Sequence, residues 1–146
     1  MIIFLDIDGV LHPEPCARPE LVLRELPRLE RVLRHFPQAQ VVISSTWRDT
    51  RTLGELQSLF SPDVAGQVIG VTPAWRDLDQ VVYSYQRQAE VEAWLRENRS
   101  PWDRFVVLDD RTWLFSPFYA PLLKCNPLTG MDDRVEQQLR TRLQAD

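Results

Sequence analysis

The stretch Met1-Ile-Ile-Phe-Leu5, followed at once by Asp6-Ile-Asp-Gly9, decides the fold of this chain. Five successive apolar residues rich in strand formers are typical of a strand buried on both faces, as in parallel sheets. The pattern returns about a hundred residues later, where Arg104-Phe-Val-Val-Leu108 runs into Asp109 and Asp110. The sequence therefore predicts two buried strands that each deliver carboxylates to one edge of a sheet.

The rest of the chain alternates between short apolar runs and helical patterns. We predict further strands at 40–43, 67–71 and 122–125, and helices at 26–36, 52–60, 86–98 and 132–143. The interval 11–26 contains three prolines and is predicted to be a loop or flap with at most a short helical turn, and 72–85 is predicted to be a loop. This alternation predicts an α/β fold, a three-layer Rossmann-like arrangement with a central parallel sheet covered on both sides.

Length and composition limit the class of protein. A chain of 146 residues, 44% hydrophobic and 26% charged, is expected to fold as a single domain over 1–146. No apolar run approaches the roughly 20 residues that cross a bilayer, and the N-terminal apolar stretch lacks the basic flank of a secretory signal. Cys16 and Cys125 are then expected to be free thiols in the cytoplasm. The net charge of −4 lacks the basic footprint of a general nucleic-acid binder.

The carboxylates at the two strand ends indicate a metal site. In open parallel sheets, ligands bind beyond the carboxyl ends of the strands, where the strand order reverses. If the two strands are neighbours, three or four of Asp6, Asp8, Asp109 and Asp110 converge there, and such close carboxylates raise one another's pKa unless a cation binds them. Oxygen ligands favour Mg²⁺. With Mg²⁺ bound, one carboxylate can attack phosphorus and a second can move a proton, which is the chemistry of phosphoryl transfer.

Further polar groups suit a phosphate at the same edge. Gly9 permits the close approach of backbone amides, and the hydroxyls of Ser44 and Ser45 follow the strand predicted at 40–43. Arg87, near the start of a predicted helix, supplies a fork of donors and a fixed positive charge.

The same residues can also have purely structural roles. One of the two serines is expected to cap the strand end, and a guanidinium on a helix surface pairs with a nearby acid such as Glu90. Arg48 and Arg111 are the alternative cations for the site. His12 is expected to be structural rather than catalytic, and the tryptophans are expected to pack in the core or loops.

Four segments, in order, resemble the motifs of the haloacid dehalogenase-like (HAD) superfamily. Asp6-Ile-Asp-Gly-Val-Leu11 resembles motif I, D-x-D-G-[TV], and Val41-Val-Ile-Ser-Ser45 resembles motif II. Arg87 stands where motif III has Lys or Arg, and Val106-Val-Leu-Asp-Asp110 resembles the double-acid form of motif IV. The run from Ser44 to Arg48, the segment from Glu90 to Leu95, and Thr129-Gly130 are similar to the small HAD domains of Swiss Army Knife RNA-repair proteins.

The resemblance implies catalytic and metal-binding roles. Asp6 would be the nucleophile that forms an aspartyl-phosphate, and Asp8 would be the general acid that protonates the leaving group and then the base that activates water. Mg²⁺ would be held by Asp6, by the backbone carbonyl of Asp8 and by a motif IV acid, either Asp109 or Asp110. Because Asp8 is retained, the resemblance implies phosphatase or phosphotransferase chemistry rather than dehalogenation.

The resemblance also assigns the phosphate-binding residues. Ser45 lies two residues before Trp47, as in related domains, and is therefore favoured over Ser44 as the motif II hydroxyl. Arg87 and Gly9 would complete the phosphate site.

The intervals that hold cap insertions in this superfamily are short in this chain, which predicts no substantial cap domain. An uncapped site often accompanies large substrates, such as nucleic-acid ends or phosphoproteins, or a lid supplied by a partner. The resulting prediction is a cytoplasmic, Mg²⁺-dependent phosphohydrolase acting on a phosphate monoester. The alternatives are a non-catalytic metal- or phosphate-binding module, and an enzyme acting on nucleic-acid end phosphates.

Overall fold

The computed structural model describes residues 1–78, 85–99 and 103–145. Five strands form one sheet: β1 (Ile2–Leu5), β2 (Gln40–Ile43), β3 (Val68–Val71), β4 (Phe105–Asp109) and β5 (Leu122–Lys124). The strand order is β3-β2-β1-β4-β5, and every pairing is parallel. The predicted parallel sheet is therefore confirmed.

The helices cover both faces of the sheet, which gives the predicted three layers. They are α1 (Leu26–His35), α2 (Leu53–Gln57), α3 (Pro62–Ala65), α4 (Gln86–Asn98) and α5 (Asp133–Gln144). Successive side chains of a strand point to opposite faces. Accordingly, Ile3 and Leu5 pack in the core with α1, α2, α3 and α5, whereas Phe4 packs in a second core cluster with α4.

The strand order reverses at β1. On one side Leu5 pairs with Ile43 of β2, and on the other side it pairs with Leu108 of β4. The Asp6 N–H donates to the Leu108 carbonyl over 3.0 Å, which extends the ladder one residue beyond the strand. The two acidic strand ends therefore lie side by side at the reversal point, where α/β sheets bind their ligands.

The helix predicted over 52–60 is wrong in its extent. A capping box between Thr52 and Glu55 begins α2, which ends after Gln57, and Pro62 begins the separate helix α3. Proline is favoured in the first turn of a helix because that turn needs no N–H from it. Ser61-Pro62, interpreted from the sequence as a stop, is therefore a new start.

No part of the described chain forms a cap domain. The segment between β1 and α1 contains only a short 3₁₀ turn at Pro19–Leu21. The loop predicted over 72–85 carries a 3₁₀ turn at Trp75–Asp77, and its residues 79–84 lie outside the described residues, as does Trp102. Every helix in the described ranges is too short or too polar to cross a membrane. Cys16 and Cys125 are both free thiols, as predicted.

Candidate functional site

Three acids meet at the reversal point of the sheet. Asp6 follows β1, Asp109 ends β4 and Asp110 comes next along the chain. Each offers a carboxylate oxygen, and these three oxygens lie within 4.8 Å of one another. All three residues are buried, and Asp109 has no exposed surface. The predicted convergence of the two strand ends is present in the structure.

Burial and mutual repulsion disfavour three negative charges in this cluster. Burial, and then the charge of Asp109, raises the pKa of Asp6 well above its ordinary value. Burial also raises the pKa of Asp109 to about 7, although the Arg87 guanidinium and the Arg111 backbone N–H act to lower it. Asp109 Oδ2 and Asp110 Oδ1 are buried, and neither has a hydrogen-bond partner among the described residues. A divalent cation would bind both oxygens and offset the repulsion between the carboxylates.

Gly9 makes room for the cluster. Its backbone has φ of +80°, a conformation that side chains disfavour. A Cβ at this position would lie 2.3 Å from Asp110 Oδ2. The motif I glycine therefore allows the Asp110 carboxylate to lie against the loop that follows β1.

Asp8 differs from the three clustered acids in its exposure and partners. Its side chain is 28% exposed. Its carboxylate accepts hydrogen bonds from two rings: His12 Nε2 lies 2.8 Å from Oδ1, and Trp47 Nε1 lies 3.2 Å from each of the two oxygens. Asp8 is thus held at the rim of the site, in contact with solvent.

The two serines lie at the end of β2 and are fully buried. Ser45 Oγ accepts the Trp47 backbone N–H over 3.3 Å, which leaves the Ser45 hydroxyl hydrogen free to donate. Ser44 Oγ is buried and finds no hydrogen-bond partner in the described part of the chain. Neither serine hydroxyl donates to an acceptor in the described part of the chain, and the assignment of motif II to Ser45 stays a prediction.

Arg87 lies in the first turn of α4 and reaches the acid cluster. Its Nε lies 3.4 Å from Asp109 Oδ2, at ion-pairing distance but outside hydrogen-bond geometry. Its Nη1 donates to Glu90 Oε1 over 3.1 Å. The sequence allows Arg87 to pair with Glu90 on the same helix, and this pair is present. Arg87 is only 4% exposed, so the pair is buried rather than solvated.

Glu90 also fixes a second arginine. Arg48 Nη2 donates to Glu90 Oε2, and the Trp75 backbone N–H donates to the same oxygen over 2.6 Å. Arg48 further donates to the Ser45 carbonyl over 3.1 Å. Glu90 therefore links α4 to the loops after β2 and β3 and holds two guanidinium groups close to the site.

The sequence did not predict the contacts of three residues near the site. It predicts a structural role for His12 and core or loop packing for Trp47; both side chains contact Asp8, and their roles stay predictions. It identifies Glu90 only as a partner of Arg87. The available signals are the position of His12 directly after motif I and the spacing of Arg87 and Glu90 by three residues on one helix, which places them on one face.

The fold, the four motif positions and the acid cluster together define a HAD-like domain. A family model described as the HAD domain in Swiss Army Knife RNA repair proteins matches residues 2–135, nearly the whole chain. The chain belongs to this family, which confirms the resemblance inferred from its motifs. Among curated proteins and solved structures, none matches. Membership of the family suggests a phosphatase or hydrolase kind of enzyme.

Proposed function

We propose that this protein is a Mg²⁺-dependent phosphohydrolase that cleaves a phosphate monoester through an aspartyl-phosphate. The observation that carries the proposal is the cluster of Asp6, Asp109 and Asp110, whose ligand oxygens lie within 4.8 Å of one another beside the more exposed Asp8. A buried set of acids favours a hard cation, and an adjacent acid in contact with solvent is free to exchange a proton.

The residues present fit a bound Mg²⁺. The carboxylates of Asp6, Asp109 and Asp110 and the backbone carbonyl of Asp8 all offer oxygen ligands, and two of the buried carboxylate oxygens lack hydrogen-bond partners in the described ranges. Mg²⁺ bound there would neutralise negative charge that develops on the phosphoryl group.

In the first half of the reaction, an Asp6 oxygen attacks phosphorus. The bond from phosphorus to the leaving oxygen breaks, and Asp8 gives its proton to that oxygen. In the second half, the Asp8 carboxylate takes a proton from water as the water oxygen attacks phosphorus. The bond between Asp6 and phosphorus then breaks, which releases phosphate. The Ile7 N–H donates to Asp6 Oδ1 over 2.9 Å and so fixes the orientation of the nucleophile.

The phosphate oxygens would be held by donors around this cluster. Ser45 and Ser44 supply hydroxyls at the end of β2, and Arg87 supplies a guanidinium from the first turn of α4. Gly9 contributes indirectly: its own N–H donates to the His12 carbonyl over 2.9 Å, and the absence of a side chain admits the Asp110 carboxylate beside it.

The test is hydrolysis of an aryl phosphate with Mg²⁺ or with EDTA. Wild type should turn the substrate over only with Mg²⁺, and Asp6→Asn should abolish turnover because the amide is a poor nucleophile. Asp63→Asn is the matched control, since Asp63 is exposed in α3 and pairs with Arg34. An equal background rate of hydrolysis in every sample would overturn the proposed enzymatic activity and favour a non-catalytic metal- or phosphate-binding module.

A narrower candidate substrate is the phosphate at a nucleic-acid end. Two observations favour it: the family is described from RNA repair proteins, and the described residues form no cap over the site. Comparing 3′-phosphorylated and 5′-phosphorylated oligonucleotides with small phosphate esters tests this substrate class. A preference for the small esters would contradict it without affecting the proposed chemistry.

A cytoplasmic location is part of the proposal. Cys16 and Cys125 are both free thiols, as is usual in a reducing compartment. Fractionation of cells that produce the protein tests the location, and recovery outside the cytoplasm would contradict it.

A further inference from the structure

We infer that His12 and Trp47 are positioning residues that hold the Asp8 carboxylate in the orientation required for proton transfer. The inference rests on the proposed function, because it assigns the two rings a role in that reaction. We call His12, Trp47 and their hydrogen bonds to Asp8 the Asp8 clamp.

The Asp8 clamp restricts the orientation of a partly exposed carboxylate. Asp8 lies in the loop after β1, and its side chain is 28% exposed. Two N–H groups converge on it: Oδ1 receives His12 Nε2 at 2.8 Å, and Trp47 Nε1 bridges both oxygens at 3.2 Å. Oδ1 thus has two donors and Oδ2 has one, so Oδ2 is the oxygen with remaining capacity to exchange a proton with a substrate or water.

The His12 ring is itself fixed. The Leu23 backbone N–H donates to His12 Nδ1 over 3.1 Å, so Nδ1 is the acceptor nitrogen and the ring proton lies on Nε2, facing Asp8. His12 is only 3% exposed. Leu23 has φ of +60°, an uncommon conformation for a residue other than glycine. The backbone is therefore held in a costly conformation at the residue that orients the imidazole.

The Trp47 ring has two close neighbours. The Arg51 guanidinium lies over the ring, 3.9 Å from its centroid, and the His12 ring is tilted against it with 5.9 Å between centroids. The backbone N–H of Trp47 donates to Ser45 Oγ. One segment therefore connects the candidate phosphate hydroxyl with the indole that orients Asp8.

A positioning role predicts a dependence on the leaving group. When the leaving oxygen is strongly basic, bond breaking needs the proton of Asp8, whereas a very acidic phenol leaves without it. Misplacing Asp8 should therefore slow the hydrolysis of phenyl phosphate and spare that of 2,4-dinitrophenyl phosphate. A variant that merely loosened the fold would lose activity on both esters in equal proportion.

The experiment measures kcat/KM for both esters with Mg²⁺, because kcat/KM reports the step in which the leaving group departs. Trp47→Phe removes the indole N–H and keeps an aromatic ring, and His12→Leu removes the imidazole. Each should lower kcat/KM for phenyl phosphate about tenfold to a hundredfold and change the value for the dinitrophenyl ester less than about threefold. His12→Gln, which restores an N–H donor, should recover part of the loss.

The controls are His35→Gln and Trp113→Phe, which alter exposed residues of the same two types. Both should match wild type on both esters. A second readout does not depend on activity: Asp8→Asn should shift the Trp47 indole N–H resonance in the ¹H–¹⁵N spectrum and leave that of Trp113 unchanged.

The outcomes separate the inference from the proposed function. Equal losses on the two esters, no loss, or no recovery by His12→Gln would overturn the positioning role while wild-type turnover still supports a phosphatase. An unshifted Trp47 resonance would overturn the contact itself. If wild type hydrolyses neither ester, the proposed function fails and the positioning role fails with it, whatever the spectrum shows.

Discussion

At the scale of single residues, Asp6 and Asp8 show that identical side chains of one motif lie in different environments. Asp6 is 3% exposed and lies among other acids, whereas the Asp8 side chain is 28% exposed and accepts hydrogen bonds from two rings. The first environment favours a shared cation, and the second favours contact with water. These environments suit the roles proposed for Asp6 as nucleophile and for Asp8 as proton carrier.

Replacing Gly9 with alanine should disrupt the acid cluster. The new Cβ would lie 2.3 Å from Asp110 Oδ2, and φ of +80° disfavours any side chain. We expect a loss of about 1–3 kcal/mol in the free energy of unfolding, together with weaker Mg²⁺ binding because the Asp110 carboxylate must move. Urea denaturation and calorimetric titration with Mg²⁺ measure the two effects.

Gly66→Ala is the control for this substitution. Gly66 has φ of −67°, and a Cβ added to it would have no atom within 4 Å apart from those of its own local backbone and chain neighbours. Alanine is tolerated in such a backbone conformation. If both variants retained wild-type stability and wild-type Mg²⁺ affinity, the close packing of Gly9 against Asp110 would be refuted.

The sequence predicted the acids of the site better than their partners. Apolar runs that end in acids identify Asp6 and Asp109, because their placement follows from strand pairing. The contacts of Asp8 with His12 and Trp47 depend instead on two loop conformations, one of them set by Leu23 at positive φ. Such loop geometry has no periodic pattern in the sequence from which to predict it.

At the scale of elements, α4 places positive charge beside the site. Its first turn holds Arg87 near Asp109, and Glu90, one turn later, holds Arg87 and Arg48 together. The helix was predicted at the bounds 86–98 that the structure has, and so was the strand at 40–43. The buried apolar run of β2 carries a strong signal, whereas the break between α2 and α3 depends on the proline that begins α3.

Substituting Glu90 with glutamine should lower the stability of the protein, because Glu90 links α4 to the two arginines. The buried guanidinium groups of Arg87 and Arg48 would lose their shared negative partner, which costs about 3–5 kcal/mol of stability when a buried ion pair is broken. Because Arg87 would also lose its anchor, kcat/KM for a phosphate ester should fall. Thermal unfolding and steady-state kinetics measure the two effects.

Glu97→Gln, an exposed change on the same helix, provides the comparison and should alter stability by less than about 0.5 kcal/mol. Equal stability of the Glu90 and Glu97 variants would show that the buried network contributes nothing to the fold.

At the scale of the whole molecule, the strand order brings residues from distant parts of the chain to one point. Because β1 lies between β2 and β4, the ends of three strands lie side by side at one edge of the sheet. The order could be predicted only as far as the adjacency of the two acidic strands, since local patterns do not specify which strands pair. The same topology concentrates carboxylates, so the global stability of the fold should depend on pH and on Mg²⁺.

Without Mg²⁺, the wild type should lose stability relative to Asp109→Asn as the pH rises. Burial raises the pKa of Asp109 from 3.8 to about 7, so the folded state retains a proton that the unfolded chain releases earlier. The associated stabilisation is fully present below pH 3.8 and is lost as the pH rises to about 7. Urea denaturation across this range, with and without Mg²⁺, measures the free energy of unfolding.

Saturating Mg²⁺ should abolish the loss of stability that the wild type shows relative to Asp109→Asn as the pH rises, because the bound cation favours the ionised carboxylates. Parallel pH profiles for the wild type and Asp109→Asn in the absence of Mg²⁺ would contradict the electrostatic description of the cluster.

The most direct measurement asks whether Asp6 becomes phosphorylated. Asp8→Asn should form the aspartyl-phosphate from 2,4-dinitrophenyl phosphate, whose leaving group needs no proton, and should hydrolyse it slowly because the base is missing. After an acid quench, peptide mass spectrometry should find the phosphoryl group on Asp6 with Mg²⁺ and not with EDTA. Release of dinitrophenol with Asp6 unmodified, or with the phosphoryl group on another residue, would contradict the proposed mechanism.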